Sequence, residues 1–204
     1  MPLPPQPSMP ALLLGSTSPY RRALLARLRL PFGVEAPRVD ETPRPGESPA
    51  ALAGRLAMAK AQEVASRHPH AVVIGADQVA DLNGQPIGKP GTHPRAVAQL
   101  QAMRGRSVVF HSALAVVRPS TGFAQGLMAD VTVRFRDLSD AEIERYLRLE
   151  QPYDCAGSAK VETLGIALLE AIDSDDPTAL EGLPLIRTCH LLRLAGIDPL
   201  RAAT

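Results

Sequence analysis

Ala11-Leu12-Leu13-Leu14-Gly15-Ser16-Thr17-Ser18-Pro19-Tyr20-Arg21 joins a four-residue apolar run to a short polar turn and then to a periodic segment reaching Leu30. The apolar run reads as a short buried strand. Ser18 supplies an N-cap, and Pro19 takes the first helical position, where its missing N–H costs nothing. The backbone amides of such a strand-to-helix turn point outward, a geometry that binds anions. A second junction of this kind follows at Ala71-Val72-Val73-Ile74, a fully apolar strand with Gly75-Ala76-Asp77-Gln78 at its end. Ligand sites in α/β folds gather at the carboxyl ends of strands, and the small Gly75 and Ala76 leave room beside Asp77. Two roles are open to Asp77 from these residues alone: capping a turn, or facing a ligand.

The rest of the chain alternates elements around these two junctions. Phe32 to Ala36 reads as a strand, and Ser48-Pro49 opens a helix to about Arg67 with Leu52, Leu56, Ala59 and Val64 on one side. Asn83-Gly84 is a hairpin turn, and a helix runs from about Pro94 to Met103. Val108 to Arg118 and Phe123 to Arg136 form a long β pair in which Val131, Val133 and Phe135 alternate with polar residues, so one face is buried. Ser139 and Glu142 make a capping box for a helix to about Leu149. Gly165 to Glu170 reads as a strand, and Leu183 to Ala195 as a helix stopped by Gly196. Crossover and hairpin connections occur together, so the class is α/β with a mixed sheet.

Composition bounds the function. At 204 residues and 45% hydrophobic, the chain fits one domain, expected at 11–199, with a Pro-rich tail at 1–10 and a short tail at 200–204. The formal net charge of +1 argues against a nucleic acid polymer as partner and leaves a small polyanion. No apolar run approaches the roughly 18 residues of a membrane span, and the first ten residues do not read as a signal peptide. Cys155 and Cys189 follow no metal-ligand spacing and no secreted disulfide framework. The expectation is a cytoplasmic protein with no membrane partner.

Arginine dominates the 22 basic residues; the lysines are Lys60, Lys89 and Lys160 alone. Lysine differs from arginine in offering a compact ammonium on a flexible stem, which suits phosphate binding. No Walker A loop is present, and position 79 is Val where a haloacid-dehalogenase-type phosphatase needs a second Asp. Ser16, Arg21, Lys60, Lys89 and Lys160 supply donors, and Glu41 and Asp77 supply carboxylates. That is the inventory for a triphosphate bound with a hard divalent cation, Mg2+ or Mn2+. His68 and His70 flank Pro69 and follow no ligand motif.

Leu14-Gly15-Ser16-Thr17-Ser18-Pro19-Tyr20-Arg21-Arg22, Asp40-Glu41-Thr42, Lys60-Ala61, Gly75-Ala76-Asp77-Gln78-Val79, Gly88-Lys89-Pro90 and Cys155-Ala156-Gly157-Ser158 occur in that order. Together they resemble the Maf nucleotide pyrophosphatases over about Leu12 to Pro199. Tyr20, Gln78 and the segment Gln151 to Glu170 are most similar to the subgroup acting on 7-methyl-GTP. The resemblance implies an elongated, two-lobed α/β fold with a strongly twisted sheet and a central cleft, often dimeric. It also implies hydrolysis of a nucleoside triphosphate to the monophosphate and pyrophosphate with a divalent metal. Asp77 matches the proton acceptor, Tyr20, Gln78 and Glu162 match positions that tune base choice, and Ser16, Arg21, Glu41, Lys60 and Lys89 match the phosphate and metal pocket. Lys160, two residues from Glu162, faces either a phosphate or solvent. Thr163 departs from the glycine usual in the subgroup. Two other readings share the fold: a noncatalytic nucleotide-binding regulator of cell division, and a pyrophosphatase for dTTP or UTP.

Overall fold

A computed structural model describes residues 9–201. The expected tail at 1–10 falls outside the described residues save for its last two positions, as do positions 202–204 of the C-terminal tail. Seven strands form one mixed sheet ordered β2-β1-β3-β5-β6-β7, with β4 paired to β3. β1 (Leu12–Gly15) lies parallel to both β2 (Gly33–Glu35) and β3 (Val72–Leu82). β4 (Gln85–Ile87), β5 (Ser107–Arg118), β6 (Phe123–Phe135) and β7 (Leu169–Asp173) run antiparallel to their neighbours. The helices are α1 (Pro19–Ala26), α2 (Pro49–Arg67), α3 (His93–Met103), α4 (Asp140–Glu150) and α5 (Leu185–Leu194). Among the described residues no helix is long and apolar enough to cross a membrane.

The caps sit where side-chain chemistry places them. Ser18 accepts from the Arg21 N–H, Ser48 from the Ala51 N–H, and Ser139 and Glu142 close the full capping box of α4. Each side-chain cap satisfies a backbone donor that the helix cannot, worth about 1 kcal/mol. The hairpin turn at Asn83-Gly84 has both residues at positive φ, as a two-residue β3-β4 connection requires.

The long strands β3, β5 and β6 link separate cores. At one end Leu14, Ile74, Leu114, Leu191 and Leu192 pack beneath α1 and α5, while Val73, Ala113 and Ala115 pack beneath Leu56, Ala57 and Val64 of α2 on the opposite face. At the other end Phe110, Val131, Val133 and Phe135 meet Leu100, Ile143, Tyr146 and Leu147 of α3 and α4. Each fully buried Leu or Ile contributes roughly 1.5–3 kcal/mol through removal of apolar surface from water.

Two local expectations change. β3 does not stop at Ile74 but runs to Leu82, because β5 pairs with it continuously from Val73 to Asp81. Asp77 is therefore inside a strand, which removes the turn-capping role. The apolar stretch from Gly165 begins as a 3-10 turn over Leu164–Leu168, and only Leu169–Asp173 is strand. The N–H groups of Thr163 and Gly165 both bond the Lys160 carbonyl, at 3.2 and 3.0 Å, so the chain folds back on itself before it can extend.

Candidate active site

β1 flanks β3 only as far as Gly75, and β4 joins it only from Ala80. Residues 76–79 thus have a strand beside them on the β5 side alone, and the gap on the other side is a notch in the sheet. Strand side chains alternate between faces, so at the notch Asp77 projects toward α2 and Gln78 toward the opposite face. A cleft of about 620 Å3 opens there, lined by Ser16, Arg21, Lys60, Asp77 and Lys89 and by Tyr20, Phe110, Cys155 and Glu162.

Gly75 does not make room for a ligand, as the sequence suggests; it makes room for α2. A Cβ there would stand 2.3 Å from the Ala57 carbonyl oxygen and 2.4 Å from the Ala61 nitrogen. Its parallel partner Gly15 faces Val64 and the Lys60 carbonyl at 3.2 and 3.4 Å. This pair of glycines lets helix and sheet approach closely enough for Lys60 to reach the notch.

Lys60 is only 5% exposed. Its Nζ donates to Asp77 Oδ1 at 2.7 Å and lies 2.8 Å from Glu41 Oε1. Asp77 is also buried, whereas the Glu41 side chain is 60% exposed and reaches inward from a loop. The Asp77 and Glu41 carboxylates offset the desolvation of the buried ammonium, and removing the lysine would leave the buried Asp77 unpaired at a cost of about 3–5 kcal/mol.

Donors surround this centre. Ser16 is buried at the turn after β1, where its hydroxyl accepts from the Ser18 N–H. Arg21 Nε donates to the Gly182 carbonyl at 2.9 Å, which leaves the terminal nitrogens for the cleft. Burial disfavours the Arg21 charge, and the neighbouring Asp77 and Glu41 carboxylates act against that. Lys89 is exposed on the rim in a turn fixed by Gln99 Nε2 on the Gly88 carbonyl and by the Gly91 N–H on the Tyr153 carbonyl.

Tyr20, Cys155 and Glu162 occupy the other end of the cleft. The Cys155 sulfur and Tyr20 hydroxyl are 3.9 Å apart. Burial pushes the Cys155 thiol up to about 12, and burial likewise raises the Tyr20 hydroxyl above its ordinary value. Burial raises the Glu162 carboxyl too, with Glu181 reinforcing it and Lys160 opposing. Lys160 itself is paired with Glu150 Oε1 at 3.1 Å, and its Nζ is 6.0 Å from the centre of the Tyr20 ring. The fold-back after Lys160 therefore places it at the tyrosine end, held by a carboxylate, rather than with Lys60. Thr163 has φ −131°, so its backbone has no need of the glycine expected there, and its hydroxyl bonds the Lys160 carbonyl at 3.2 Å.

Sequence reasoning passes over Arg55. It forks Glu47 through Nε (2.6 Å) and Nη2 (2.8 Å) and donates to the Thr42 carbonyl at 3.1 Å, so it ties the Glu41 loop to α2 one turn before Lys60. Its local signal, a lone arginine within a helix, is indistinguishable from a solvated helix face. Glu181 is missed in the same way: it forks Arg27 and belongs to the turn that receives Arg21.

A family model described as Maf-like protein matches residues 11–195, and the chain belongs to that family. It spans nearly the whole of its curated relatives. It is 68% identical over 191 residues (94% of this chain, 87% of the relative) to a protein of Polaromonas sp. named 7-methyl-GTP pyrophosphatase. Proteins of the same name from Albidiferax ferrireducens and Cupriavidus metallidurans are 66% and 62% identical, covering 97% and 92% of this chain and 99% and 94% of their own lengths.

Proposed function

We propose that this protein is a cytoplasmic pyrophosphatase that hydrolyses 7-methyl-GTP to 7-methyl-GMP and pyrophosphate, removing a modified nucleotide. The observation that carries the reading is Lys60 held between Asp77 and Glu41 in a cleft whose far end combines an aromatic ring with a carboxylate. The names of the relatives support the same substrate.

Asp77 accepts the proton of a water that attacks the α-phosphorus; the bond between that phosphorus and the bridging oxygen breaks, and pyrophosphate leaves with the electron pair. The attack meets a polyanion, so fixed cations must offset charge redistributed in the transition state. Lys60, Arg21 and Lys89 do this, with the Ser16 hydroxyl as a further donor. Glu41 and Asp77 also suit a hard divalent cation, because their oxygens converge on one point, now occupied by the Lys60 ammonium. Carboxylate oxygens are the ligands that Mg2+ and Mn2+ prefer, so Glu41 and Asp77 would hold such an ion. When bound, the ion neutralises phosphate charge and lowers the pKa of a coordinated water.

At the other end, 7-methylation makes the guanine ring cationic. A tyrosine face attracts a cation by roughly 0.5–2 kcal/mol, and the Glu162 carboxylate adds complementary charge. Incubation with 7-methyl-GTP, GTP, UTP and dTTP plus magnesium, with pyrophosphate resolved from single phosphate, tests the reading. Preferential release of pyrophosphate from 7-methyl-GTP is expected. Turnover of UTP or dTTP alone refutes the base assignment, and binding without turnover makes the protein a regulator instead.

A further inference from the structure

Gln78 and Ser112 are register partners on β3 and β5, so their side chains share a face of the sheet. Gln78 Nε2 has three acceptors for its two hydrogens: Ser112 Oγ at 2.8 Å and the carbonyls of Ala179 and Leu180, each at 3.0 Å. Ser112 is fully buried, and its own hydroxyl donates to the Ala179 carbonyl at 2.6 Å, which leaves its lone pairs facing the Gln78 amide. A carboxamide has two orientations related by a half turn. The reversed one would set Oε1 against two carbonyl oxygens, which only accept, so this site tolerates the nitrogen alone. Oε1 receives no hydrogen bond among the described residues, while Gln78 forms part of the cleft wall.

From this geometry we infer that Ser112 and the Ala179–Leu180 turn are a positioning device: they lock the Gln78 carboxamide so that Oε1 is offered to the cleft as an acceptor for the 2-amino group of the guanine base. The inference rests on the guanine substrate proposed above. The resemblance already sets Gln78 among the residues that tune base choice; what is new is the role of Ser112 and the Ala179–Leu180 turn in orienting it. Guanine carries that amino donor and hypoxanthine lacks it.

The test compares kcat/KM for 7-methyl-GTP and 7-methyl-ITP, which differ only in the 2-amino group. The native protein should favour 7-methyl-GTP by about tenfold, the worth of one hydrogen bond with its acceptor otherwise left unpaired. Gln78→Met should bring the ratio close to one. Ser112→Ala leaves both carbonyls on the Gln78 amide but removes one acceptor and the hydroxyl that fixes the Ala179 carbonyl, and the looser amide should lower the ratio severalfold; Ser112→Thr keeps the hydroxyl and should restore it. A purely structural role for Ser112 would depress both substrates equally in Ser112→Ala, which overturns the inference. Should Ser112→Ala fail to fold, the ratio in Gln78→Met decides, and an unchanged ratio there also overturns it. Equal turnover of both substrates by the native protein sinks the inference and leaves the activity standing. No turnover of either refutes the activity and the inference together.

Discussion

Replacing Gly75 by alanine should move the proposed catalytic centre without touching it. The new Cβ would stand 2.3 Å from the Ala57 carbonyl oxygen, 2.4 Å from the Ala61 nitrogen and 2.9 Å from the Ala61 Cβ. Ordinary contact begins near 3.4 Å, and both closest atoms are helix backbone that cannot rotate away. α2 must therefore retreat by about 1 Å, carrying Lys60 from its 2.7 Å contact with Asp77. Overpacking of this kind costs about 1–3 kcal/mol in stability, and a 1 Å misplacement of a positioned group costs about 100-fold in rate. Urea unfolding with pyrophosphate release measured on the same preparations separates the two losses. Gly54→Ala is the control on the same helix: its Cβ would meet only Met128 Cε at 3.7 Å, and alanine favours the helix by up to about 1 kcal/mol. A folded Gly75→Ala protein with native turnover would refute the claim that close helix–sheet approach sets the position of Lys60.

Asp77→Asn should lower kcat by about 100-fold to 10,000-fold while nucleotide binding persists, since the amide keeps its shape and cannot take the proton; near-native turnover would show that another group is the base. The Glu47 carboxyl is held at about 2, below its ordinary 4.5, by its hydrogen bond from Arg55 and then by the Arg44 N–H. Its folded value is depressed, so its contribution to holding the Glu41 loop is complete above about pH 4.5 and fades as pH falls toward 2. Thermal melts should show that part of the acid sensitivity missing in Glu47→Gln. Arg55→Lys cannot make the planar fork and should reduce kcat with little effect on KM for the nucleotide. Cys155 should react with iodoacetamide at pH 8 far more slowly than a free thiol, because burial lifts it to about 12; rapid labelling would mean that the tyrosine end of the cleft is open to water.

The fold was legible where local chemistry decides it. Ser18-Pro19, Ser48-Pro49 and the Ser139/Glu142 box each mark a helix start within the residues that form it. The sequence shortens β3 because Gly75-Ala76 resembles the end of a strand, and only the distant β5 shows that pairing continues through Asp77. The same nonlocality explains Gly75: that a missing side chain serves helix packing rather than a ligand depends on Ala57 and Ala61. Lys60, Glu41 and Asp77 were singled out individually, but their convergence on one ammonium is a tertiary fact. Whether Lys160 faces a phosphate or solvent depends on the turn in which the Thr163 N–H bonds the Lys160 carbonyl and on the distant Glu150 that pairs with it, neither of which is visible in the local sequence.

The notch at residues 76–79 separates two kinds of variation. Asp77 and Lys60 stand on one side of the sheet plane, while Gln78, Ser112 and the Ala179–Leu180 turn stand on the other, joined by a single peptide link. The turn at 179–182 serves both sides, since Gly182 receives Arg21 next to the carbonyls that hold Gln78, so substitutions in that turn should couple base choice to the phosphate pocket. With the proposed roles, such a chain can exchange one base for another by drift at Gln78 and Ser112 while the residues proposed to break the bond stay fixed, and the β3 backbone between Asp77 and Gln78 is the boundary between them.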